Sequence, residues 1–302
     1  MEPIKAIFLG TSGSVPQKDK NFASVVLSFR GENLLFDCPE GTQKQLMSSD
    51  VSMMGIDNVF ISHMHADHFL GLFGWISTMT LNQRKNKLTI FVPKGGKEKI
   101  QRILHDVVRP CFEIEYKEAK KGVLLKSEFY EVSAFPLKHE LPCAGFVFKE
   151  KDKEGTFDRK KAEKLEIPVG PLYAKLAAGE KIKVNEKTFS PKDVMDYSKG
   201  REGRKVVVVS DTRPVKETTD AAKGADLLIH EATFLEQFKD NAMEALHSTA
   251  LEAAQVAKKA KAKKLVLFHF SARLTDDKQI LDEAKAEFAN THLAKELETI
   301  IV

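Results

Sequence analysis

A chain of 302 residues, 42% hydrophobic and 30% charged, is long enough for one large α/β domain or two small ones, with a sizeable core. No apolar stretch approaches the roughly 20 residues of a membrane-spanning helix, and "MEPIKAIFLG" lacks the long h-region of a signal peptide, so a cytoplasmic location is expected. The net charge of +4 permits a nucleic-acid partner without requiring one, and Cys38, Cys111 and Cys143, widely spaced, fit buried, reduced thiols rather than a disulfide framework.

Short β-rich runs alternate with helical patterns along the chain, without repeats or low-complexity tracts, which is an α/β signature. "IKAIFLG" (4–10), "ASVVLSF" (23–29), "ENLLFDC" (32–38) and "NVFIS" (58–62) read as strands. Residues 61–71, "ISHMHADHFLG", then place three imidazoles and a carboxylate within six positions. A helix over 68–81 follows, with Phe69, Leu72, Phe73 and Ile76 on one face. "KLTIFVP" (87–93) is a strand and "GKEKIQRILHDVV" (96–108) an amphipathic helix. Residues 149–187 lack a sustained amphipathic period and hold eleven Lys/Arg against eight Asp/Glu; insertions of this length tend to be functional or mobile. "KVVVVSD" (205–211), "ADLLIHE" (225–231) and "KKLVLFHF" (263–270) are further buried strands. Between the last two, Thr249 and Glu252 form a capping box, which predicts a helix beginning directly after His247.

The apolar runs share a feature. "NVFIS" leads to His63, "VSAFPLK" to His139, "KVVVVS" to Asp211 and "LVLF" to His269. Ligand sites of α/β proteins gather at such strand ends because a rigid sheet fixes the loop roots. His63 and His65, two apart in extended geometry, can reach one ion from the same side, while Asp67 and His68 turn into the helix start and can face a second. Nitrogen and oxygen donors without thiolate suit zinc, with manganese as the second choice. His63, His65, Asp67, His68, His139, Asp211 and His269 together exceed what one tetrahedral ion needs, and Asp211 is the natural bridge between two. Two ions about 3.5–4 Å apart clamp a phosphoryl or carbonyl centre and lower the pKa of a shared water towards 7. Blander roles suit the other candidates. His105 and His292 fall in helical patterns and read as surface residues, His230 as a support for Glu231, "GTSGS" as a tight turn, and Trp75 as core.

The ligand pattern resembles the metallo-β-lactamase superfamily. Within it, "FLGTSGSVP" (8–16), "DCPEGTQKQL" (37–46), "SDTRP" (210–214), "HEATF" (230–234), "HST" (247–249) and "FHFSAR" (268–273), in this order, resemble the tRNase Z family from residue 4 to about 275. The resemblance implies a four-layer αβ/βα sandwich with two mixed sheets, a single domain over 1–302 with an inserted flexible arm at 149–187. "IPVGPLYAKLAAGEKI" is similar to the Gly-Pro motif of the family's tRNA-gripping arm, which makes Gly170 and Pro171 candidate substrate contacts. His63, His65 and His139 are implied to hold one Zn2+, Asp67, His68 and His269 the other, with Asp211 shared. The implied activity is removal of the 3′ trailer from precursor tRNA, by a homodimer in which one subunit's arm holds the tRNA cut by the other. The products would be a 3′-OH on the tRNA and a 5′-phosphate on the trailer; no DNA or membrane partner is expected.

The residues support that chemistry. His247 precedes a capped helix whose free N–H groups and partial positive charge suit phosphate. Glu231 can hold and charge this imidazole, making it a proton donor to the departing oxygen. Asp67 can orient or deprotonate the attacking water, and Thr249 and Arg273 are further candidate substrate contacts. Many family members carry glycine where this chain has Pro39 and an aromatic where it has Leu274, departures that bear on substrate fit rather than on chemistry. The leading alternative is a phosphodiesterase of the same fold acting on small or cyclic nucleotides, which would share every ligand and need no basic arm.

Overall fold

The computed structural model describes residues 2–274 and 276–302. Two seven-stranded mixed sheets lie at its centre. One contains Lys5–Gly10 (β1), Ser24–Phe29 (β2), Glu32–Phe36 (β3), Ile56–Phe60 (β4), Leu88–Val92 (β5) and Ile114–Glu118 (β6). The other contains Gly122–Lys126 (β7), Tyr130–Leu137 (β8), Cys143–Glu150 (β9), Lys205–Val209 (β10), Leu227–Glu231 (β11), Leu265–Phe268 (β12) and Thr291–Leu293 (β13). Thr299–Ile301 (β14) returns to the first sheet, which runs β14-β1-β2-β3-β4-β5-β6, while the second runs β13-β12-β11-β10-β9-β8-β7. From β3 to β6 the pairing is parallel, as it is from β10 to β13.

These strands read as unbroken apolar runs because both of their faces are covered. Val206 and Val208 point into a core shared with Phe8, Phe36, Phe60 and Phe146, between the sheets. Val207 and Val209 point the other way, towards Ala253 and Ala257 of helix Ala250–Ala260. In β1, Phe8 faces inward while Ile7 and Leu9 join Leu72, Trp75 and Ile76 of helix Gly71–Leu81. Helix, sheet, sheet, helix is the four-layer order expected. Phe36, Phe60 and Phe91 are direct partners across β3, β4 and β5 and stack at 5.0 and 4.6 Å, so the chain leaves this part of the sheet from a rigid base.

Several local expectations need adjusting. The helix expected over 68–81 is two segments, Ala66–Phe69 and Gly71–Leu81. A Cβ on Gly71 would lie 1.9 Å from the Pro39 carbonyl oxygen, so the break is also a close backbone approach. The helix after His247 begins at Ala250, with both bonds of the Thr249–Glu252 capping box formed. His292 sits in strand β13 rather than a helix, and its Nε2 meets the Glu298 carboxylate at 2.8 Å. Cys38 and Cys143 are buried, but Cys111 is exposed.

Lys149–Arg204 forms a compact unit of its own, longer than the 149–187 insertion read from composition. Ala162, Ile167, Leu176, Ile182 and Val194 supply its core. Near its two chain ends Glu150 accepts from Arg201 at 2.5 and 2.8 Å and from Arg204 at 2.8 and 3.2 Å. The unit holds fifteen Lys/Arg against eleven Asp/Glu, while the remaining residues balance at thirty-two of each, so the net +4 of the chain resides here.

Burial pushes the Glu150 carboxyl up, but Arg201 and Arg204 outweigh it and hold the pKa at about 2. Its contribution to stability is therefore complete above the ordinary value of 4.5 and is lost as pH falls towards 2. Replacing Glu150 with Ala strands two guanidinium groups and should cost this unit about 3 kcal/mol. The measurement is hydrogen exchange: protection over 150–204 should fall, and the mutant should lose the acid dependence that the wild type shows.

Candidate metal centre

Six strand ends converge on one place. Asp37 follows β3, His63 follows β4, His139 follows β8, Asp211 follows β10, Glu231 closes β11 and His269 follows β12. His63, His65, His139 and Asp211 present ligand atoms within 4.8 Å of one another, as do Asp67, His68 and His269. Asp211 stands between the groups: its Oδ2 lies 3.6 Å from His63 Nε2 and 3.4 Å from His68 Nε2, and its Oδ1 lies 3.2 Å from His269 Nε2. All seven ligands read from the sequence are brought together.

The chain turns four of the five rings so that one nitrogen is spoken for and the other faces inward. Ser62 Oγ lies 3.0 Å from His63 Nδ1, Asp37 Oδ2 lies 2.8 Å from His68 Nδ1, and His139 Nδ1 donates to the Leu246 carbonyl at 3.1 Å. Thr233 Oγ1 meets His269 Nδ1 at 3.0 Å. Such outer partners fix the tautomer and orient the ligating nitrogen. The inward nitrogens then lack ordinary partners. His68 Nε2 and His269 Nε2 are buried without a hydrogen bond, and His65 Nδ1 sits 3.0 Å from His63 Nε2 and 3.2 Å from His139 Nε2. Buried imidazole nitrogens aimed at one another around carboxylates fit divalent cations. Burial keeps His63 well below its ordinary pKa, and burial lowers His139 too, so both offer a lone pair. Burial raises the Asp67 carboxyl, but His269 and His68 outweigh it and hold the group ionised.

Glu231 is fully buried and gathers five donors. Its Oε1 accepts from Ser248 N at 2.8 Å, Thr212 N at 3.1 Å and His247 Nδ1 at 3.2 Å, and its Oε2 from Thr233 N at 3.0 Å and Thr233 Oγ1 at 2.8 Å. Burial alone would raise its pKa, but the His247 charge reverses the shift. In return, Glu231 and then Asp211 overcome the desolvation of His247 and lift it to about 9. His247 lies near enough to Asp211 and His269 to count as a ligand by distance alone. Its Nδ1 is instead directed at Glu231 Oε1, 3.2 Å away.

Other candidates fall differently. Thr249 is buried, its hydroxyl accepting from Glu252 N at 3.1 Å and donating to Glu236 at 2.7 Å, so it positions the helix start. Arg273 is exposed in a turn. Gly170 and Pro171 open helix Pro171–Ala177 inside the unit Lys149–Arg204. His230 is buried and its Nδ1 meets the Glu231 carbonyl at 2.6 Å. The "GTSGS" turn borders the site: Ser14, at φ 58, donates its N–H to Asp67 at 3.0 Å. A Cβ on Gly13 would lie 2.5 Å from the His269 ring, which only glycine avoids.

Sequence reasoning passed over Asp37, Ser62 and Thr233. Asp37 follows the apolar run of β3 as the ligands follow theirs, and that position was the available signal. Its Oδ1 also accepts from Ser62 N at 2.7 Å, so one carboxylate sets both the His68 ring and the loop that carries His63. Asp37→Ala should weaken divalent-ion binding by about 10–100-fold. Competition against a chromogenic chelator measures this, and unchanged affinity would remove Asp37 from the centre.

Residues 4–129 match the family model of the anti-Pycsar protein Apyc1, and residues 161–270 that of the beta-lactamase superfamily domain. The ribonuclease Z of Archaeoglobus fulgidus is 43% identical over 99% of this chain and 97% of its own length. That of Methanosarcina mazei is 40% identical over 97% and 96%. Among solved structures, the short form of human tRNase Z matches with a TM-score of 0.71 at 28% identity, covering 98% of both chains. The metallo-beta-lactamase fold protein YhfI of Bacillus subtilis matches with a TM-score of 0.72 at 18% identity over 100% of both, a likeness of fold. With identity of this order along nearly its whole length, and with the ligand cluster intact, the chain belongs to the ribonuclease Z family on the metallo-β-lactamase fold.

Proposed function

We propose that the chain is a tRNA 3′-processing endoribonuclease that removes the trailer of precursor tRNA, leaving a 3′-OH on the tRNA and a 5′-phosphate on the trailer. The observation that carries this is the buried Glu231–His247 pair beside the His/Asp cluster. His63, His65 and His139 would hold one Zn2+ and Asp67, His68 and His269 the other, with Asp211 shared. Bound there, the ions would neutralise phosphodiester charge and make water a stronger nucleophile near neutral pH. Asp67, fixed by the Ser14 N–H, orients the attacking water in line with the bond to be broken. His247 keeps Nδ1 on Glu231, which leaves Nε2 to give its proton to the departing 3′ oxygen.

The unit Lys149–Arg204, with all of the net positive charge, suits a tRNA backbone and its shape. A homodimer, in which one subunit's arm serves the other's centre, is part of the same proposal. Exposed Met47 and Leu70 beside Gly74 line a groove of about 300 Å³ that could contribute to such an interface. A cytoplasmic location accords with the substrate, and among the described residues no helix is long and apolar enough to cross a membrane.

Purified protein with a 3′-extended precursor tRNA should yield the two ends named above, and His247→Ala or Asp67→Ala should lower the rate by about 100-fold or more. A 2′,3′-cyclic phosphate on the tRNA would overturn the water mechanism. Hydrolysis of a cyclic nucleotide with precursor tRNA left intact would favour the phosphodiesterase instead. Replacing residues 151–203 with a short linker should abolish tRNA cleavage yet spare an aryl phosphodiester. The rate should fall as pH rises and His247 loses its proton. Because an ion on Asp211 cancels that carboxylate's share, the falling limb belongs between the ordinary 6.5 and about 9.

A further inference from the structure

The backbone around His247 is held in an unfavourable shape. Leu246 lies in the left-handed region at φ 57, where a branched side chain is disfavoured, so the surroundings must enforce the turn. Four bonds do so. The Leu246 carbonyl accepts from His139 Nδ1 at 3.1 Å, His247 N donates to the Ala242 carbonyl at 2.9 Å, Ser248 N donates to Glu231 at 2.8 Å, and the His247 carbonyl accepts from the Arg213 guanidinium. The same guanidinium forms a two-pronged pair with Glu252, Nη1 to Oε2 at 2.8 Å and Nη2 to Oε1. Glu252 in turn accepts from Thr249 N at 3.0 Å as part of the helix cap. Arg213 follows Asp211 and Thr212, and Thr212 contributes to both neighbours of His247: its N–H goes to Glu231 and its carbonyl accepts Ser248 Oγ at 2.6 Å. Arg213 therefore links the strand end bearing Asp211 to the peptide bearing His247 and to the helix behind it.

We infer that Arg213 is a positioning residue for proton donation by His247. Among the described residues its guanidinium hydrogen-bonds to the His247 carbonyl and Glu252 and to no ligand ring, and it acts by fixing the carbonyl of the donor's own peptide. Its planar fork serves three acceptor atoms at once, which a lysine ammonium cannot reproduce with the same geometry. The inference rests on the reading of His247 as the proton donor to the leaving oxygen.

A proton donor matters most when the leaving group is a poor one, so a pair of simple substrates isolates the effect. Methyl p-nitrophenyl phosphate releases a stable phenolate, whereas methyl phenyl phosphate needs its departing oxygen protonated. On the metal-loaded enzyme, Arg213→Ala should widen the kcat ratio between these esters by about tenfold or more, with KM nearly constant, and Arg213→Lys should widen it less. In a His247→Ala background, Arg213→Ala should leave the ratio where His247→Ala put it. Equal losses on both esters would overturn the inference, as would an independent change of the ratio in the double mutant. If Arg213→Ala does not fold, Arg213→Lys supplies the same ratio, and an unchanged ratio there is also negative. Should the wild type leave precursor tRNA intact while the ratio still responds to Arg213, the tRNA assignment fails and this inference stands. If the wild type cleaves tRNA while the ratio ignores Arg213, the tRNA assignment stands and this inference fails.

Discussion

Three carboxylates, Asp37, Asp211 and Glu231, are buried at one edge of a sheet sandwich, and this arrangement of charge governs the rest of the site. Removing ionised groups from water is tolerated only where donors or cations surround them. Glu231 is satisfied by four N–H and O–H donors and the His247 proton, and Asp37 by Ser62 and His68. Asp211 is different. It is as deeply buried, yet its oxygens face imidazole nitrogens at 3.2–3.9 Å, at or beyond the limit of good hydrogen-bond geometry, and Ser210 Oγ at 3.5 Å. Burial opposes protonation of His68, but Asp211 and Asp37 outweigh it and draw its pKa up, so positive charge is what these carboxylates call for. A divalent ion would supply that charge, so the electrostatic deficit around Asp211 is itself an argument for metal.

The same demand explains the backbone. Ser14, Asp37, Leu246 and His269 all adopt positive φ near the site, though none is glycine. At Asp37 and His269 the unusual dihedral comes one residue beyond a strand, where the side chain must turn from the direction set by the sheet towards the cluster. The stacked Phe36, Phe60 and Phe91 beneath, and the packed β10–β13, are rigid enough to hold such residues in place. Strain of this kind persists only where the surroundings over-determine it.

The legible parts of the sequence were those with a local signature. Apolar runs marked strands, and His or Asp immediately beyond a run marked a ligand. The Thr249–Glu252 box placed a helix start within two residues. What was hidden depends on long-range pairing. Asp37 meets His68 across 31 positions and Arg213 meets Glu252 across 39, and no spacing rule connects them. The pattern around His292 reads as helical, whereas β12 claims the residue by parallel pairing. Insertion boundaries failed similarly: the residues after 187 look like ordinary loop until Val194 joins a core with Ala162 and Leu176, and Arg201 and Arg204 close on Glu150.

Charge is divided as sharply as chemistry. The residues that carry the sheets and the metal cluster balance their formal charges, and the excess sits in Lys149–Arg204, which has a separate core and a separate ion-pair clasp. Basic residues crowded around Asp211 would weaken the site, because each added cation competes with the ions for the same carboxylates. The excess charge belongs to a unit with its own core, and attraction of a polyanion to it depends on salt, whereas the buried cluster is shielded from salt. A small phosphodiester has little use for the second unit, whereas a folded RNA has many phosphates to offer it. Under the proposed function, substrate size rather than the chemistry of the scissile bond is what this division of charge would select.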